Sequence, residues 1–191
     1  MTQAAATHST DRARPRSGPA VRTLDDLARL SPRELGLLYR EAAMPARMEE
    51  LDGDLVGRML AVRGLGSGVP LRALAAFARG RGFPWGGKSF RASEARAGTG
   101  INRVHLGGRH RLFPFATCFG ASVVDGGPAV ILDYDDPDNP GFIRAIHDEV
   151  REIVPGLFFG PACWKRDDGG TPIVLWFALD ARGVNRGARA S

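Results

Sequence analysis

The residues able to do chemistry in this chain gather in a few places. Lys88 sits between Trp85 and Phe90 in a run of aromatic and small residues. A cation there suits an apolar pocket whose few polar groups orient a ligand, and it would meet a ligand carboxylate. Desolvated, the same amine sheds its proton more readily and becomes a base or a Schiff-base former. The competing role is a lysine that snorkels off the surface or pairs with an acid. Arg58 shares a strand face with Val56, Leu60 and Val62. It is an anchor for an anionic group, half of a buried ion pair or an outward-facing residue, because period 2 does not say which face is inside.

The densest polar group is His147, Asp148, Glu149 and Arg151. His147 titrates near neutrality, and Asp148 beside it would orient the ring, which makes an acid/base pair at a pocket mouth. On a helix these residues, with Arg144, would instead lace a solvated face with ion pairs. A second candidate pair is Asp135 with Lys88. Asp133, Tyr134, Asp135, Asp136 and Asp138 form an acidic run. Turn chemistry and capping explain it better than a Ca²⁺ loop, which would need a glycine and a distal glutamate. Tyr134 and Asp133 point to opposite faces of one strand, so at most one faces an interior.

His105 and His110 flank Gly107-Gly108 and have no partner at metal-ligand spacing, so neither a metal nor a cofactor is expected. There is no Walker loop, GxGxxG, HExxH, CxxC or GxSxG, which removes the common nucleotide, zinc and serine-hydrolase readings. Cys118 and Cys163 read as reduced core residues, with Lys165 and Arg166 a weak hint of an activated Cys163.

The 191 residues carry a formal charge of +5. Arg12, Arg14, Arg16 and Arg22 against Asp11 give residues 1–22 a charge of +3, and Arg182, Arg186 and Arg189 give 181–191 another +3. The stretch between is left at −1. Both ends lack apolar periodicity and read as disordered basic tails. Nucleic acid is thus expected to make only non-specific contact, through the tails. No apolar stretch approaches the ~20 residues that span a bilayer, and no signal peptide is seen, so a cytoplasmic protein is expected.

The elements that would position these residues are mostly strands. Thr23–Asp26 and Ser31–Glu34 are capping boxes, the second with Pro32 in first position, so 23–43 reads as two short helices. Residues 70–79 read as another helix. Strands are expected at 53–63, 86–92, 100–106, 111–122, 128–135, 157–165 and 172–180. Phe113, Phe115, Thr117 and Phe119 share a face, Gly126-Gly127 marks a hairpin, and Ile173–Leu179 is apolar on both faces. From Asn139-Pro140 onward, Phe142, Ile146, Val150 and Ile153 recur at helical spacing up to Pro155-Gly156, which predicts a last helix.

Three stretches in this order resemble proteins that pair a GXWXG domain with a DUF4334 domain. They are Gly53-Asp-Leu-Val-Gly57, then Trp85-Gly-Gly-Lys88-Ser-Phe90, then Tyr134-Asp135-Asp-Pro137 leading through Asp148-Glu-Val-Arg151 to Leu157-Phe-Phe-Gly160. The middle stretch matches in full. Leu55 stands where the family has Trp, Val150 where it has Phe, and about ten extra residues precede Asp148. The resemblance covers roughly residues 50–180 and implies a small barrel of the lipocalin or fatty-acid-binding type.

The expected architecture is mainly β. It is a single antiparallel lipocalin-like barrel over 49–180, with a helical extension at 23–48, one or two inserted helices and tails at 1–22 and 181–191. The expected function is binding of a small apolar or amphipathic ligand, an acidic one included, by Trp85, Phe113, Phe115, Phe119, Tyr134 and Trp176. Lys88, Arg58 and Arg151 would meet its polar end. The alternative is a cofactor-independent isomerase or cyclase using His147 with Asp148, or Asp135 with Lys88. An interaction protein working through its Arg-rich tails is the third reading.

Overall fold

The computed structural model describes residues 21–62, 85–105 and 107–184. The expected helix at 70–79 and most of both tails lie outside the described residues. Eight antiparallel strands close into a barrel: β1 (Gly53–Val62), β2 (Trp85–Glu94), β3 (Ala97–Val104), β4 (His110–Ala121), β5 (Pro128–Asp133), β6 (Ile146–Val154), β7 (Leu157–Trp164) and β8 (Ile173–Asp180). Each strand pairs with the next, and β8 returns to β1. Closure gives every strand a partner on each side.

Two short helices precede the barrel. α1 (Leu24–Ala28) and α2 (Pro32–Glu41) start at Thr23 and Ser31, each with the reciprocal capping box its sequence announces. Leu27, Leu35 and Tyr39 bury against Leu157, Phe159, Trp176 and Ala178 on the outside of the barrel. The helical segment therefore shares a core with β7 and β8. A 3₁₀ turn, Met48–Leu51, follows, and Met48 donates its N–H to Ala95 O at 3.0 Å in the β2–β3 turn. Met48 and Leu51 are buried in the interior cluster with Leu55, Phe90 and Phe158, stoppering that end of the barrel.

The predicted last helix is corrected. Only Gly141–Arg144 is helical (α3), and Ile146–Val154 is strand β6. A spacing of four, as in Phe142, Ile146 and Val150, satisfies a strand's period of 2 as well as a helix's 3.6. Neighbouring β5 and β7 offer hydrogen bonds on both sides, and Pro155-Gly156 turns a hairpin instead of ending a helix.

Two irregularities reset which residues face inward. On β2, Trp85 pairs with Val104 but Gly87 pairs with Arg103, so β2 carries an extra residue there. Gly87 takes a φ of +113°, open to glycine and strained for other residues. This bulge turns both Trp85 and Lys88 to the interior, although an odd spacing of three would put them on opposite faces of a regular strand. On β4, Ile101 pairs with Pro114 and Asn102 with Leu112, so Phe113 is the extra residue, and its φ of +61° is the described chain's one positive value outside glycine.

Candidate functional site

Away from the stoppered end, the interior holds a cavity of about 60 Å³. Met59, Phe113, Ile143, Leu175 and Phe177 give it apolar walls, and Trp85, Lys88, Asn102, Tyr134 and Asp148 give it polar groups. Gly57 makes room for Trp85: a Cβ there would lie 2.6 Å from the indole ring. Tyr134 follows β5 two residues after Leu132, which is the register partner of Asp148, so the two side chains face the same way. Asn139 pins the loop beyond, its side-chain amide donating to Tyr134 O at 2.9 Å and Pro114 O at 2.8 Å.

The polar groups form one network. Lys88 Nζ donates to Asp148 Oδ2 at 2.9 Å, to Asn102 Oδ1 at 2.9 Å and to Tyr134 Oη at 2.5 Å. Tyr134 donates to Asp148 Oδ2 at 3.0 Å. Asn102 Nδ2 donates to Phe113 O and Tyr134 Oη, each at 3.2 Å, and the Trp85 indole N–H donates to Asn102 Oδ1 at 3.2 Å. The Phe113 carbonyl fixes the amide orientation, since it accepts only from the NH₂ side. Trp85, Phe115, Tyr134 and Phe177 surround the ammonium, with ring centroids 5.1–5.6 Å away. Such faces stabilise a desolvated cation.

Lys88 and Asp148 are 3% and 4% exposed, so this is an ion pair inside the barrel. Burial lowers the Lys88 pKa, and Asp148 opposes that shift. Burial raises the Tyr134 phenol, with Asp148 adding to the effect, so Tyr134 keeps its proton. Asp148 Oδ1 is buried and meets no donor among the described residues.

The remaining sequence candidates fall elsewhere. His147 and Asp148, adjacent on a strand, point to opposite faces, so the expected dyad does not form. His147 Nε2 lies 2.9 Å from Glu149 Oε1 on the outer face. Asp135 does not reach Lys88; it is exposed and receives Arg144 Nε at 2.7 Å. Arg58 points outward to Asp25 of α1. Arg151 is also outward, held by Asp125 and stacked 4.3 Å over the Tyr39 ring. Trp176 packs outside the cavity, between Tyr39 and Phe159. Phe115 is core beside Lys88, and Phe119 is covered by Arg96 at 5.1 Å. Phe113 lines the cavity. The acidic run makes turns, Asp138 N–H donating to Asp136 Oδ1 at 2.9 Å and Asp135 N–H to Asp133 Oδ1 at 3.1 Å.

Asn102 is the site residue that sequence reasoning missed. Asn102 lies within the expected strand at 100–106 with nothing to single it out, and only its register opposite Lys88 reveals it. The buried outer cluster around Glu149 was also missed. Glu149 is fully buried and accepts from Tyr39 Oη at 2.7 Å, Ser122 Oγ at 2.5 Å and Val123 N at 2.6 Å.

No family model matches the chain, and no curated protein matches it. The barrel is similar to the crystal structure of a protein from Thermomonospora curvata. The TM-score is 0.51 at 19% identity, over 79% of this chain and 87% of that one. That likeness shows a shared fold. Among the described residues no helix is long and apolar enough to cross a membrane.

Proposed function

We propose that this protein binds a compact apolar or amphipathic small molecule in the barrel cavity, over the Lys88–Asp148 pair. The observation that carries this is a polar network buried at one point of an otherwise apolar cavity. Burying two charges is costly even when they pair, and apolar residues of similar volume often stabilise a fold better. A buried pair at a cavity wall is therefore better explained by a ligand than by folding. The stretch that resembles GXWXG/DUF4334 proteins in full, Trp85 to Phe90, is the one that supplies Trp85 and Lys88, which supports the same reading.

The cavity volume sets the scale. About 60 Å³ holds a few waters, far short of the roughly 300–1,000 Å³ of pockets for drug-sized ligands. A molecule the size of a few waters fits as the walls stand; a longer one, pentan-1-ol included, requires Met59, Trp85 or Phe113 to swing aside.

Binding is better supported than catalysis. An enolising isomerase needs a free donor aimed at the developing oxyanion. Here the protons of Lys88, Tyr134, Asn102 and Trp85 are all engaged within the network. Pentan-1-ol titrated into ¹⁵N-labelled protein should shift the Trp85 indole resonance saturably and leave that of Trp176 unmoved. Equal, non-saturating drift of both would refute a site in the cavity.

A further inference from the structure

We infer that the ligand's polar end is a hydrogen-bond donor, a hydroxyl or N–H, held by Asp148 Oδ1, and not the carboxylate that a buried lysine first suggests. This rests on the proposed cavity binding and names the chemical class it selects.

The argument is an accounting of hydrogen-bond valences. An ammonium has three protons, a phenol one, a primary amide two and an indole one. Lys88 spends its protons on Asp148, Asn102 and Tyr134. Tyr134 donates to Asp148, Asn102 to Phe113 O and Tyr134, and Trp85 to Asn102. No proton is left for an incoming acceptor. The lysine charge, moreover, is already neutralised by Asp148 at 2.9 Å. A carboxylate arriving here would add a second anion beside Asp148 in an apolar enclosure, with no donor to receive it.

The open valence is of the other kind. Asp148 Oδ1 is a buried carboxylate oxygen with no donor among the described residues, on a side chain that lines the cavity. Its sister oxygen Oδ2 accepts from both Lys88 and Tyr134, which fixes the carboxylate in place. Buried acceptors are satisfied by protein, water or ligand. A donor that reaches Oδ1 makes a charge-assisted hydrogen bond while its carbon chain covers Phe113, Leu175 and Phe177.

Pentan-1-ol and butyl methyl ether are isomers of one formula, and only the alcohol donates. With pentanoate as third probe, affinities come from the Trp85 indole shift. The alcohol should bind about tenfold or more tightly than either the ether or pentanoate, because an unmade buried hydrogen bond forfeits affinity of that order. In Asp148→Asn the carbonyl takes over from Oδ2 and the amide N–H turns to the cavity, so the alcohol's advantage over the ether should vanish. Ether binding as well as alcohol in the wild type, or pentanoate binding best, would overturn the donor assignment and leave cavity binding standing. Silence from all three probes would overturn both. The wild-type comparison decides even if the variant does not fold.

Discussion

Lys88 and Asp148 depend on each other inside the barrel. Removing one partner leaves a bare charge no more than 5% exposed, which typically costs about 3–5 kcal/mol. Lys88→Met should therefore destabilise by about that amount in urea unfolding. The double variant Lys88→Met/Asp148→Leu should recover most of the loss while no longer binding pentan-1-ol. A double variant as unstable as the single one would mean that the pair serves the fold. At this scale the sequence was informative for residue type. Lys88, Trp85, Tyr134 and Asp148 stood out as a cation among aromatics, a tyrosine in an acidic run and a carboxylate in the densest polar cluster. It was misleading about partners: the chain neighbours His147 and Asp148 separate, and Asp148 meets Lys88, 60 residues away.

The elements explain that outcome. Strand β6 turns successive residues to opposite faces, which sends Asp148 inward and His147, Glu149 and Arg151 outward, the last two beneath α2 and the β4–β5 turn. The bulges at Gly87 and Phe113 then set the phase of β2 and β4. A bulge is decided by how two strands pair, so no periodicity within either strand reveals it. The seating of Trp85 gives a direct test. In Gly57→Ala the new methyl would meet the Gly87 backbone at 2.4 Å and the indole ring at 2.6 Å. Such overpacking commonly costs about 1–3 kcal/mol. It should also displace the Trp85 indole resonance and weaken binding, whereas an unmoved resonance would show that the glycine is not needed to place the ring. On the outside, Arg151 clamps α2 and the β4–β5 turn together, donating to Asp125 Oδ1 and Oδ2 at 2.7 and 2.8 Å and to Tyr39 O at 2.8 Å. A residue expected to meet ligand turns out to be a fastener between elements.

For the molecule as a whole, the clamp sets a response to acid. The Arg151 hydrogen bond lowers Asp125 from the ordinary 3.8 to about 2. Glu149 is buried, which works to raise its pKa, yet His147, Ser122, the Val123 N–H and Tyr39 hold it below the usual value. Both groups take up protons more readily unfolded than folded. Their contribution is thus full above the unfolded values and is lost as pH falls through the folded ones. Emission from Trp176, which packs against Tyr39 of α2, should report release of the helices as pH drops from about 4 toward 2. Asp125→Asn should lower stability at neutral pH and flatten that acid limb; an unchanged limb would remove Asp125 from the mechanism. The charge partition also needs one refinement at this scale. The barrel's own surface is locally basic where the β3–β4 hairpin brings Arg103, Arg109 and Arg111 around Asp54.

Closure has a consequence in time. Val56 of the first strand pairs with Asp180 of the last, so the ring cannot shut until nearly the whole chain is available. Contacts so distant in sequence fold slowly, and until β8 arrives β1 presents a bare edge to any strand nearby. During synthesis the vulnerable interval lasts until Ile173–Asp180 has emerged from the ribosome. Truncations short of β8 should therefore aggregate, even though they retain Trp85, Lys88, Asn102, Tyr134 and Asp148.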